Sequence, residues 1–289
     1  MGLMMDIEYA RTFLKVVDSG SFVGAAGALH LTQAAVSRRI RALERHLGCT
    51  LFIRNKAGAV LTPAGRRFLR HATTLVQTLE RARHEVGVAR TFTDTLAIGG
   101  RFGLWDGLMT HWLGAFAARH PTVQLYTQIG FEEGLMHELI DGRLDLGVMY
   151  TPQSRPGLAV ERLLEEELVL VTSRLGPAAA PRPDDYVHVD WGPEFRSALI
   201  VSIPELSSPQ LTVGIGWLGL QYLLEQPGAA YFPRRMVDGL VGDGRLQRVP
   251  DAPTFGLPAY MVYADGDGNP LLRAAVELLH DMAGQAGVA

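Results

Sequence analysis

The 289-residue chain holds a single cysteine. Cys49 has no partner for an internal disulfide and cannot seed a cysteine-based metal site, which fits a reducing compartment. Long hydrophobic runs are missing too. No stretch approaches the roughly 18 apolar residues that span a bilayer, and Lys15 interrupts the only candidate export segment near the start. A cytoplasmic protein without membrane contact is expected.

Catalytic signatures are equally sparse. No Gly-x-Ser-x-Gly elbow occurs, and the nine histidines are scattered rather than paired at ligand spacing. His137-Glu138-Leu139-Ile140-Asp141 has Asp where a zincin has its second His. Gly99-Gly100-Arg101-Phe102-Gly103 lacks the spacing of a dinucleotide loop. The expectation is a protein that is not an enzyme and carries no cofactor or metal.

What is present describes a globular chain, 47% hydrophobic and 20% charged, long enough for two domains. The net charge of −3 hides an asymmetry. Residues 1–90 carry 14 Lys/Arg against 6 Asp/Glu, whereas the remainder carries 13 against 24. A basic head on an acidic body points to a polyanionic partner for the head alone.

The head reads as helices. Ile7, Ala10, Phe13, Leu14 and Val17 share one face, and Ser21 caps a short Gly- and Ala-rich helix from Phe22 to about Leu29. Thr32 caps a third helix whose apolar positions Val36, Ile40, Leu43 and Leu47 fall at intervals of 4, 3 and 4. Its other face offers Gln33, Ser37, Arg38 and Arg41. Gln and Arg suit adenine and guanine edges, and hydroxyls suit phosphates. Leu51–Leu61 then reads as two short strands around a Lys-Ala-Gly tip, a wing that would bring Arg54 and Lys56 to the DNA backbone.

The run Phe22-Val23-Gly24-Ala25-Ala26 through Thr32-Gln33-Ala34-Ala35-Val36-Ser37-Arg38 to Leu43-Glu44, followed by Leu47-Gly48 and Leu51-Phe52-Ile53-Arg54, resembles the DNA-binding domain of LysR-type transcriptional regulators. The likeness continues at Leu61-Thr62-Pro63-Ala64-Gly65, Gly142-Arg143-Leu144-Asp145-Leu146 and Leu164–Leu170. Ala34 stands where many members have proline. Trp191-Gly192-Pro193-Glu194-Phe195, with Leu104-Trp105, further resembles a subgroup that includes an enterobacterial repressor of flagellar genes.

Residues 62–90 read as a connector. Phe68, Ala72, Leu75, Leu79, Ala82 and Val86 recur at alternating steps of 4 and 3, a seam that wants a partner helix. The resemblance implies antiparallel pairing with a second copy, giving a dimer or a dimer of dimers on a dyad-symmetric operator. The expected division is therefore a winged helix-turn-helix domain at 1–61, a dimerisation helix at 62–90 and an effector-binding domain at 91–289.

The body alternates strands with helices: Thr95–Gly99, Leu104–His120, Val123–Ile129, Glu133–Gly142 and Asp145–Tyr150. This order implies an α/β fold with a parallel sheet and a ligand site at the strand carboxyl ends. Crossings near 166–171 and 255–262 describe two lobes, one of about 91–167 with 255–289 and one of about 168–254. The resemblance implies a two-lobed domain with the fold of periplasmic binding proteins.

The candidate effector residues are Arg101, Phe102, Gly103, Leu104, Gly130, Phe131, Tyr150, Thr151, Trp191 and Arg196. The family usually offers a hydroxyl at the position of Gly103. Without it, an organic anion would be held by backbone N–H groups at Leu104 and by Arg101 or Arg196. Two other readings stand beside this one. The aromatic residues pack and the cleft is empty of function, or the protein is a solute-binding sensor whose basic head docks to a protein.

Overall fold

The computed structural model describes residues 6–55, 58–86, 92–174, 176, 183–266 and 268–286. Three helices build the head: α1 (Ile7–Ser19), α2 (Phe22–Ala28) and α3 (Gln33–Leu47). Each begins on a side-chain cap. Asp6, Ser21 and Thr32 accept the backbone N–H of Glu8, Gly24 and Ala35, satisfying donors that a helix start leaves unpaired. The wing follows as antiparallel β1 (Phe52–Asn55) and β2 (Gly58–Leu61), with Arg54 opposite Ala59. Its root is pinned to α3, because the Glu44 carboxylate accepts the Leu51 N–H at 2.8 Å.

The head does not end at residue 61. α4 (Pro63–Val86) starts on a Thr62 cap and sends Phe68, Leu69, Ala72 and Val76 into the same core as Phe13 and Ile40. Phe68 meets Phe13 edge to face at 5.1 Å. Phe68 and Ala72 are therefore interior residues, and the expected intersubunit seam loses them. The reason is length: α1–α3 alone are too small to enclose Phe13 and Phe52, and the first turns of α4 complete the enclosure. Leu75 is 41% exposed, while Leu79 and Ala82 are half-buried. The Val86 side chain lies outside the described residues.

Lobe I is a βαβ arrangement. β3 (Asp94–Gly100) lies between β4 (Val123–Ile129) and β5 (Leu146–Met149) and is parallel to both. The connection from β3 to β4 was expected to be one helix and is instead broken. It comprises α5 (Phe102–Leu104), a distorted turn at Trp105–Met109, and α6 (Thr110–Arg119). At the break Asp106 has ψ 114° and Gly107 has φ 78°, a left-handed backbone that glycine adopts without steric cost. α7 (Glu132–Ile140) covers the sheet with Leu135 and Leu139.

β6 (Leu158–Thr172) is long enough to serve both lobes. Its first half pairs with the last strand of the sheet, and its second half pairs with a strand of lobe II. Lobe II contains parallel β7 (Val187–Val189) and β8 (Leu211–Val213), with α8 (Pro193–Ser202) and α9 (Gly216–Glu225). It is completed by β9 (Ala229–Pro233), α10 (Arg234–Gly242) and β10 (Gln247–Arg248). The chain returns along β11 (Phe255–Ala264), antiparallel to β5 and β6, and ends in α11 (Pro270–Ala286). One apolar cluster runs through both lobes along β6 and β11, from Leu96 and Trp112 to Tyr231 and Phe232.

Head and body also touch. The Lys15 ammonium lies 3.2 Å from Asp141 at the end of α7, and Arg155 lies 3.7 Å from Asp18.

Candidate DNA interface and effector cleft

On the head, α3 divides its side chains by task. Val36, Ile40 and Leu43 are fully buried, and Gln33, Ala34, Arg38 and Arg41 face outward. Arg39 points back, donating to the Thr12 hydroxyl and lying 3.6 Å from Glu8. Arg38, Arg41 and Arg45 border an open groove that continues past Gly48 to Thr50. This row of guanidiniums, flanked by the exposed amide of Gln33, presents base-reading and phosphate-binding chemistry on one helix face.

Three expected DNA contacts already have partners within the head. The Thr32 hydroxyl is engaged in capping Ala35, which sets the start of α3. Ser37 is buried, and its hydroxyl accepts from Arg54 at 3.3 Å. The Arg54 guanidinium also stacks over Phe22 at 3.8 Å. Arg54 thus braces the wing against α2 and α3 instead of reaching freely outward, because a planar cation over an aromatic face is well placed there. Lys56 lies outside the described residues.

In the body, the carboxyl ends of β3, β4 and β5 in lobe I face those of β7 and β8 in lobe II. Between them is a cavity of about 200 Å³. Arg101 follows β3, Phe131 follows β4, and Tyr150 with Thr151 follows β5; Asp190 with Trp191 follows β7, and Gly214 follows β8. A second cavity of about 370 Å³ adjoins it, sharing Tyr150 and Thr151 and bordered by Glu194 and Tyr260.

Five of the ten expected effector residues thus line the first cavity: Arg101, Phe131, Tyr150, Thr151 and Trp191. The other five do not, for separate reasons. Phe102 packs on Trp217 of lobe II with ring centroids 6.0 Å apart. Gly103 and Leu104 are buried, and Gly130 is covered by Leu135. Arg196 borders a different, smaller hollow with His188 and Leu206. One turn of helix α8 separates Arg196 from Gly192 and carries its side chain away from the cleft.

Charge in the cleft is largely paired. Arg101 Nε lies 3.3 Å from Glu132 Oε1, and its guanidinium sits over the Phe131 ring at 4.6 Å. Behind the wall, Arg235 of α10 crosses from lobe II. It donates to Glu166 Oε1 at 2.8 Å, to the Gly103 carbonyl at 2.7 Å and to the Asp106 carbonyl. The broken helix makes this possible, since a continuous helix would spend those carbonyls internally. Tyr150 completes the chain with its hydroxyl 3.5 Å from Glu166. Burial raises the Glu166 carboxyl above its ordinary range despite Arg235, and burial followed by the Glu166 charge raises the Tyr150 phenol well above its own.

Glu132, Asp190, Glu166 and Arg235 escaped the sequence reading. Adjacency to Phe131 was the only available signal for Glu132. Arg235 meets residues more than sixty positions away, and no local pattern encodes that meeting.

Residues 7–66 match the family model for the bacterial regulatory helix-turn-helix protein of the lysR family, and residues 89–284 match the LysR substrate binding domain. The chain belongs to the LysR family. It is a DNA-binding transcriptional regulator with a C-terminal effector-binding domain. The HTH-type transcriptional regulator HdfR of Escherichia coli is 31% identical over 278 residues, covering 95% of this chain and 98% of HdfR. Among solved structures, this LysR-type chain superposes on ArgP from Mycobacterium tuberculosis with a TM-score of 0.59 at 24% identity, covering 97% and 98% of the two chains. It superposes on LysG from Corynebacterium glutamicum, solved with bound effector Arg, with a TM-score of 0.62 at 18% identity, covering 97% and 99%. Among the described residues, no helix of the regulator is long and apolar enough to cross a membrane.

Proposed function

We propose that this LysR-type regulator acts in the cytoplasm as a homo-oligomer on a dyad-symmetric operator, without catalytic chemistry of its own, and that a small molecule in the junction cavity sets its state. One observation carries the reading. The outward row of Gln33, Arg38 and Arg41 and the lobe-junction cavity belong to separate bodies joined by α4. Such an arrangement lets a ligand act on DNA through α4 and through the contacts between body and head, Lys15 with Asp141 and Arg155 with Asp18.

A ligand touching both lobes favours one lobe angle, and the shift equals its differential affinity for the two arrangements. A physical route runs outward from the cavity. Tyr150 and Thr151 line it, and the same loop continues to Arg155, which contacts Asp18 at the end of α1. Leu75, Leu79 and Ala82 on α4 remain as the apolar row for a second copy, since Phe68 and Ala72 serve the head.

The test is a salt titration of the full chain on genomic fragments selected by binding, with footprints read at saturation. Affinity should fall steeply and log-linearly with salt, and footprints should show two half-sites spaced by a multiple of one helical turn. Salt-independent binding, or a single undivided footprint, refutes the reading.

A further inference from the structure

We infer that the junction cavity takes a ligand bearing an ammonium group and not a simple organic anion. This rests on reading that cavity as the effector site and names the chemistry of its occupant.

Three guanidiniums lie near the cleft in sequence or space, and none presents an unmatched charge to the cavity. Arg101 is matched by Glu132 at 3.3 Å, with its side chain only 11% exposed. Arg235 is held by Glu166 and by the Gly103 and Asp106 carbonyls. Arg196 borders the other hollow. The backbone offers little more. The N–H of Arg101 donates to Val148, and those of Leu104 and Trp105 donate to the Arg101 carbonyl. The helical stretch that begins there is three residues long before the distorted turn, too short to focus a helix dipole on an anion.

The opposite charge is in surplus. Arg101 and Glu132 cancel on the cavity wall, and Asp190 remains, so the lining carries one net negative charge. The Asp190 carboxylate accepts the Gly192 N–H at 3.2 Å, and among the described residues no cationic side chain forms an ion pair with it. Most of its lone-pair capacity is therefore open to a donor. Phe131 and Tyr150 from lobe I and Trp191 from lobe II line the same cavity. Aromatic faces attract a cation and repel a carboxylate. The Thr151 hydroxyl adds an uncharged acceptor. A carboxylate, an acceptor hydroxyl and aromatic faces around a volume of about 200 Å³ suit a compact ammonium-bearing molecule, zwitterions included.

The experiment uses the full-length chain and calorimetric titration with matched probes on one carbon skeleton: phenethylamine against hydrocinnamate, and butylamine against valerate. Each amine is expected to bind at least tenfold more tightly than its carboxylate partner. Asp190→Asn should remove that preference, and Glu132→Gln, by freeing Arg101, should let the carboxylates bind. Tighter binding of the carboxylates to the unsubstituted protein overturns the inference and leaves the cavity an effector site. Amine affinity unchanged in Asp190→Asn likewise overturns it. Silence from every probe, with operator binding intact, overturns both the inference and the effector reading.

Discussion

The Tyr150 hydroxyl lies 3.1 Å from the point where a Cβ on Gly103 would stand. A side chain at position 103 would press on that hydroxyl, which would have to shift by a few tenths of an ångström to admit it. Trp191 closes the other side, 3.6 Å from the same point. Restoring the side chain common in the family at this place should therefore crowd the cleft.

Gly103→Ser is expected to destabilise the protein by about 1–3 kcal/mol through overpacking. Adding Tyr150→Phe, which removes the crowding oxygen, should recover much of that loss. Urea unfolding of the single and double variants measures the coupling. Equal stability of Gly103→Ser and the unsubstituted chain contradicts this crowding.

Glu166 and Arg235 give a pH-dependent prediction. The folded-state pKa of Glu166 is raised, so the folded chain holds that proton more tightly than the unfolded chain does. The stability this contributes is complete below the ordinary value of 4.5 and is lost as pH rises from there through the raised folded value. Glu166→Gln should match the parent in acid and gain on it toward neutral pH. Arg235→Ala, which leaves a buried carboxylate unpaired, should instead cost about 3–5 kcal/mol at neutral pH. Melting curves across pH for the three proteins decide it, and parallel curves for parent and Glu166→Gln refute it.

The legible parts of this molecule were those written in local periodicity. Caps at Ser21 and Thr32, the apolar rows of α1 and α3, and the wing all follow from residues within a few positions of one another. The cleft was legible only where a strand ended in a conspicuous residue, as at Arg101, Phe131 and Tyr150. Partnerships across it were not. The matching of Arg101 by Glu132 reversed the charge expected of the site, and at the break beside Gly107 two carbonyls accept from an arginine of the other lobe. The α4 row misled for a related reason. Its repeat is regular, but its first positions, Phe68 and Ala72, serve the head's own core.

That division of α4 can be tested directly. Phe68→Ala removes a buried ring from the head and should cost about 3–5 kcal/mol in stability. Leu75→Glu alters a residue that is 41% exposed and should leave the melting temperature nearly unchanged while weakening self-association. Sedimentation and thermal unfolding together separate the effects. A Leu75→Glu protein that melts early yet stays fully associated would place Leu75 in the head's core.

The last prediction separates residues that read DNA from the one that holds the reader in place. Gln33 and Arg38 are exposed near the start of α3, so Gln33→Ala or Arg38→Ala should lose about 1–3 kcal/mol at one half-site and relax base preference there. Arg54 is exposed, yet it lies 3.8 Å over Phe22 and donates to the Ser37 hydroxyl, so its planar group is engaged by the head. Lysine keeps the charge but has neither the planar face nor the fork. Arg54→Lys should therefore weaken binding to all sequences alike and lower the melting temperature, while the salt dependence stays as in the parent. A phosphate contact behaves differently, because Arg54→Ala would then reduce the log–log salt slope by about 1. Titrations of the parent, Arg54→Lys and Arg54→Ala at several salt concentrations distinguish the two roles. A reduced slope with an unchanged melting temperature would assign Arg54 to the DNA backbone and remove it as the brace of the wing.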